Sequence, residues 1–219
     1  VGLIHAAMTI GELLEAREKG IRYEIVVAAI FCRLGYSIEW EDEKQTARHC
    51  EFIAKNPRTG DRIGVEAKSR RRSGVLHEPV KYEGPVKMRG DIGGLIEKAL
   101  SQKPSGTPFI IFVDLNLPAT AQQEFKDKPW MADVKAVIEN LPVPTLEAPD
   151  VVNAIIVTNF SSHYGAPGVD APPSEYLMIA SKFPKDPLNS ATALTEIGGV
   201  LQDHNQIHDQ ENEAQAAAH

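Results

Sequence analysis

Glu66 and Lys68 stand two apart in the stretch Ile63-Gly64-Val65-Glu66-Ala67-Lys68-Ser69-Arg70. Apolar Ile63, Val65 and Ala67 alternate with Gly64, Glu66 and Lys68, which is the period of a β-strand. Side chains two apart in a strand share a face. Glu66 and Lys68 are therefore expected to emerge side by side while Val65 and Ala67 point into the core. A carboxylate on a rigid strand can hold a hard cation, and an ammonium beside it can orient a water. An isolated Glu-x-Lys is more often a solvent-facing ion pair worth roughly 0–1 kcal/mol, so the surroundings decide.

Those surroundings supply more acids. Residues 49–54, His-Cys-Glu-Phe-Ile-Ala, read as a second strand. Between the two strands, Asn56-Pro57-Arg58-Thr59-Gly60-Asp61 is dense in turn formers. A hairpin there brings Glu51 toward Glu66. Upstream, residues 22–34 read as a helix, with Ile21, Ile25, Ala28, Ala29 and Cys32 at helical spacing and Gly35 as its C-cap. Glu24 lies on the flank of that stripe. A half-buried carboxylate needs a partner, either an arginine or a metal. A further helix is expected from Thr9, which with Glu12 has the form of a capping box, to a break near Gly20. Residues 37–43 alternate as a first strand whose acidic end, Glu41-Asp42-Glu43, reads as solvated.

Downstream, Arg70-Arg71-Arg72 follows the motif directly. It reads either as a solvated loop or as a phosphate clamp, since guanidinium matches phosphate bidentately. Residues 73–86 have little periodicity and read as a long loop. A helix is expected over 92–102 and a strand covered on both faces over the apolar run 109–115. A helix at 129–139, a proline-rich connector at 142–149 and strands at 152–158 and 175–181 follow, with loop between the two strands. The tail from residue 202 is polar and reads as disordered or a frayed helix. One domain, 1–201, with a tail, 202–219, is expected.

Glu51, then Glu66-Ala67-Lys68 at the end of an apolar strand, resembles the PD-(D/E)XK nuclease superfamily. The order helix, three strands, helix, strand is similar to the core order of that superfamily, and the resemblance covers roughly residues 9–115. The first acidic position is Glu51 rather than Asp, and no Pro precedes it. The resemblance implies an α/β fold with a restriction-endonuclease-like αβββαβ core: a mixed central sheet flanked by helices, here with a C-terminal β/α extension. It also implies a DNA endonuclease that leaves a 5′-phosphate and a 3′-hydroxyl. Glu24, Glu51, Glu66 and the Ala67 carbonyl would hold Mg²⁺, with Mn²⁺ as a substitute. Lys68 would position the attacking water and stabilise developing charge. Lys98 and Gln102 are placed as polar residues of the second helix are in some related nucleases. An inactive module of the same fold, binding nucleic acid or a protein, is the alternative. A third reading is an unrelated α/β enzyme with Glu66 and Lys68 as a surface pair.

The net charge of −7 argues against non-specific attraction to nucleic acid. From Lys55 to Arg89, however, ten Lys/Arg face four acids, a local balance of +6 that leaves −13 elsewhere. Arg70, Arg71, Arg72, Lys87 and Arg89 are thus the expected DNA contacts. No apolar run approaches the ~18 residues of a membrane span, and the N-terminus lacks the basic region of a secretory signal. Two cysteines, Cys32 and Cys50, make no disulfide framework and read as buried free thiols in a reducing cytoplasm. The expected partner is DNA, without a membrane, and a homodimer is allowed.

Overall fold

The computed structural model describes residues 22–41, 49–70, 89–117, 124–160 and 175–203. The expected helix from Thr9, the strand end at Asp42 and Glu43, the loop at 73–86 and the tail from residue 204 lie outside those residues.

Helix α1 (Arg22–Arg33) leads through Gly35 to strands β1 (Ser37–Trp40), β2 (Phe52–Lys55) and β3 (Arg62–Ser69). Helix α2 (Gly93–Leu100) and strand β4 (Phe109–Asp114) follow, then α3 (Met131–Glu139), β5 (Ala154–Asn159), β6 (Glu175–Ala180) and α4 (Ala193–Gln202). The six strands form one sheet in chain order. β1, β2 and β3 run antiparallel as a meander. β3, β4 and β5 are parallel neighbours, and β6 returns antiparallel to β5. The fold is a mixed α/β sheet flanked by helices.

Each parallel step is bridged by a helix, as parallel strands require. The helices cover both faces, so the central strands lose the polar-out alternation of a one-sided sheet. On one face α1 and α4 bring Val27, Ile30, Phe31, Ile197 and Leu201 against Phe52, Val65, Ala67, Phe112 and Ile156. Phe31 meets Phe52 and Phe112 edge-on, with centroids 5.8 and 6.0 Å apart. On the other face α2 and α3 bring Ile92, Ile96, Ala99, Trp130 and Val134 against Ile53, Phe109, Ile111, Val113 and Val157. β4 is buried at every position, as its apolar run predicts.

The β2–β3 turn forms at the expected residues. The Asn56 side-chain oxygen accepts from the N–H groups of Arg58 and Thr59 at 3.0 and 3.4 Å. Gly60 has φ +78°, a left-handed conformation that costs a residue with a Cβ about 1 kcal/mol or more. The register then pairs Phe52 with Val65 and places Glu51 just before β2.

Four expectations need correction. β2 begins at Phe52 rather than residue 49, and β1 ends at Trp40. Cys50 is buried, but Cys32 is only half-buried. Helix α4 was not expected at all. Its inward residues Ala193, Ile197 and Leu201 recur every fourth position, but Gly198-Gly199 interrupts the run with the poorest helix formers short of proline. Packing of α4 on α1 overrides that weakness.

Candidate active site

Pleat parity sets the site. Val65 and Ala67 point toward α1, so Glu66 and Lys68 must point toward α2. Glu66 is paired with Ile111 of β4 and Lys68 with Val113, both of which pack on the α2 side. That face is covered, so Glu66 does not emerge into solvent as expected. It is fully buried, with 0% exposure. Lys68 and Glu51 keep side-chain exposures of 23% and 26%.

The three groups converge. The Lys68 ammonium donates to Glu51 Oε1 at 2.7 Å and forms an ion pair with Glu66 Oε1. The Glu51 backbone N–H donates to Glu66 Oε2 at 3.1 Å and is shared with the Val65 carbonyl at the same distance. The step before β2 thus turns a ladder donor toward a side chain. Burial pushes the Glu66 carboxyl up to about 7 against the pull of Lys68, and the Glu51 charge adds to the rise. Burial alone would lower Lys68, but Glu66 and Glu51 outweigh it and hold its ammonium above the ordinary range. Cys50, next to Glu51, donates to the Phe52 carbonyl at 3.3 Å. Burial pushes that thiol up to about 12, so it is no nucleophile at neutral pH.

Glu24 does not join them. It stands on α1, which packs against the opposite face of β3. Among the described residues no group of three or more His, Cys, Asp or Glu is placed to hold a metal. The expected gathering of Glu24 with Glu51 and Glu66 is therefore corrected, because strand alternation separates the faces those residues serve. Two carboxylates that already share one cation still form an oxygen donor set suited to a hard ion. Magnesium is commonly held by one or two carboxylates, with waters and substrate phosphates completing its shell.

Of the basic residues, Arg70 caps the exit of β3. Its N–H donates to the Asp114 carbonyl at 3.0 Å, and its carbonyl accepts from Asn116 Nδ2 at 2.8 Å. Its guanidinium pairs with Asp91 at 2.6 Å, with both side chains 38% exposed. Arg89 is exposed beside Gly90. Gly90 has no room for a Cβ, which would lie 2.5 Å from the Trp130 carbonyl. Its N–H donates to Asp133 at 3.0 Å, which fixes the lead-in to α2. Arg71, Arg72 and Lys87 lie outside the described residues. Lys98 is exposed and Gln102 half-buried, and neither hydrogen-bonds to Glu51, Glu66 or Lys68.

A second polar cluster escaped the sequence reading. At the carboxyl end of β4, Asp114 Oδ1 accepts from Thr158 Oγ1 at 3.0 Å and the Phe160 N–H at 3.1 Å. Ser69 Oγ donates to Asp114 Oδ2 at 3.4 Å, and the Tyr23 hydroxyl bonds to Thr158 Oγ1 at 2.8 Å. Burial pushes the Asp114 carboxyl up to about 6 against these donors, and burial followed by the Asp114 charge raises Tyr23 well above its ordinary value. Nearby, buried Lys128 pairs with buried Glu175, whose other oxygen accepts from Asn159 Nδ2 at 3.0 Å. The one signal in the sequence was an acid inside an otherwise apolar run.

No helix among the described residues is long and apolar enough to cross a membrane. No family model matches the chain, and no curated protein or solved structure matches it either.

Proposed function

We propose that the chain is a divalent-metal-dependent nuclease of the PD-(D/E)XK type, hydrolysing phosphodiester bonds in DNA. The observation that carries this reading is the convergence of Glu51, Glu66 and Lys68 on one face at the exit of β3. The element order α1-β1-β2-β3-α2-β4 supports it, since it follows the αβββαβ order of that superfamily. Glu51 and Glu66 would hold the Mg²⁺, with the Ala67 carbonyl as a further oxygen donor. Bound there, the ion would neutralise phosphate charge and lower the pKa of a water. The residues of the chain do the rest. Burial of Glu66 keeps water from competing for its oxygens, and the backbone of Glu51 orients its carboxylate. Lys68 supplies a positive charge to position the nucleophile and stabilise negative charge on the phosphate oxygens. Arg70, now paired with Asp91, and exposed Arg89 would contact the substrate backbone.

The test is nicking of supercoiled plasmid DNA with Mg²⁺, with Mn²⁺ and with EDTA. Cleavage should need metal and be lost in Glu66→Ala and Lys68→Ala, each still folded by circular dichroism. Unaltered cleavage in both variants rejects the assignment. The alternative is a binding module of the same architecture without turnover. One observation favours it: no third acid joins the pair among the described residues. Metal-independent DNA binding without nicking would select that reading.

A further inference from the structure

Lys68 already occupies the position between the two carboxylates. One Glu66 oxygen is held by the Glu51 N–H at 3.1 Å, and the other is paired with the Lys68 ammonium. The same ammonium donates to Glu51 Oε1 at 2.7 Å. Glu66 is fully buried, and the ammonium already sits on its Oε1, so an ion binding that oxygen together with Glu51 competes with Lys68 for the same place. Two cations cannot share that bridge, because like charges at contact distance repel strongly where water is scarce. Lysine can leave. Its ammonium is a point charge on a flexible four-carbon stem, and this side chain retains 23% exposure.

We propose that Lys68 is an internal counter-cation that holds the site closed to divalent metal, so that a metal ion binds Glu51 and Glu66 only by displacing its ammonium. This rests on the nuclease reading and assigns Lys68 a second, inhibitory role before any catalytic one. The same ion pairs that hold Lys68 ready at the site therefore weaken metal affinity in the substrate-free protein.

The experiment is a calorimetric titration of the purified protein with Mn²⁺ alone, without DNA, so that no turnover is read. Lys68→Met removes the competing charge and keeps most of the side-chain volume. It should bind Mn²⁺ about tenfold or more tightly than the wild type, the scale expected when an ammonium bridging two carboxylates is taken away. Arg62→Gln removes a positive charge from the far end of the same strand and should leave the affinity within about twofold, since exposed distant charges are screened. If Lys68→Met does not fold by circular dichroism, Lys68→Gln carries the same expectation. Equal or weaker Mn²⁺ binding in the folded Lys68 variant overturns the proposal while leaving the metal-dependent reading intact. An equal gain in Arg62→Gln also overturns it, because the effect is then a general field. Absence of Mn²⁺ binding in the wild type and every Lys68 variant overturns the nuclease reading itself.

Discussion

Replacing Glu66 with Gln removes a charge from the most deeply buried position of the site, and its effect on stability has a definite sign. Burial raises the folded-state carboxyl from 4.5 to about 7. The folded protein therefore binds this proton more tightly than the unfolded chain does. Stability from this group is greatest below pH 4.5 and is lost as pH rises through about 7. At 1.36 kcal/mol per pKa unit, the rise from 4.5 to about 7 costs the folded state about 3 kcal/mol at pH 8. Gln forgoes that cost, in which the pull of Lys68 is already counted, and leaves Lys68 with Glu51 alone as the protonated wild type does. The net expectation is a Glu66→Gln protein stabilised by about 2–3 kcal/mol at pH 8 and within about 1 kcal/mol of wild type at pH 5, with its metal-dependent cleavage lost. Urea denaturation at the two pH values measures this. The relevant quantity is the difference between variant and wild type, which cancels Asp114 and the other titrating groups that do not interact with Glu66. A variant destabilised by 2 kcal/mol or more at pH 8, or a difference that does not change with pH, would refute the reasoning that Glu66 is held ionised at a cost.

Two other buried acids give contrasting expectations. Asp114 is pushed up to about 6 and is satisfied by neutral donors. Asp114→Asn keeps an acceptor for Thr158 and Phe160, so it should be close to neutral below the unfolded value of 3.8 and stabilising by about 2–3 kcal/mol at pH 8; thermal melts at about pH 3.5 and pH 8 check the sign. Lys128→Met is different in kind, because it leaves Glu175 buried without its ammonium. A loss of about 3–5 kcal/mol is expected, and Lys128→Met with Glu175→Leu should recover much of it in chemical denaturation, since the uncompensated charge is then gone too.

Much of the site was legible because it depends on local geometry. The period of two put Glu66 and Lys68 on a common face whatever the rest of the chain did. The turn chemistry of Asn56 and Gly60 closed the hairpin and brought Glu51 alongside. The apolar run of β4 marked a strand with two covered faces. Helix α4 was illegible because its glycines argue against a helix and only its seat on α1 argues for one.

What the amino-acid order determined alone was which side chains must be neighbours along one strand or across one tight turn, since bond geometry and chirality allow few alternatives. Tertiary packing decided what each neighbour experiences. Helix α2 covered the face where Glu66 lies and raised its proton affinity. Helix α1 settled on the other side and carried Glu24 away from Glu51 and Glu66. The ends of three parallel strands enclosed Asp114. Desolvation depends on what lies above a residue, and that covering comes from chain segments far away in sequence.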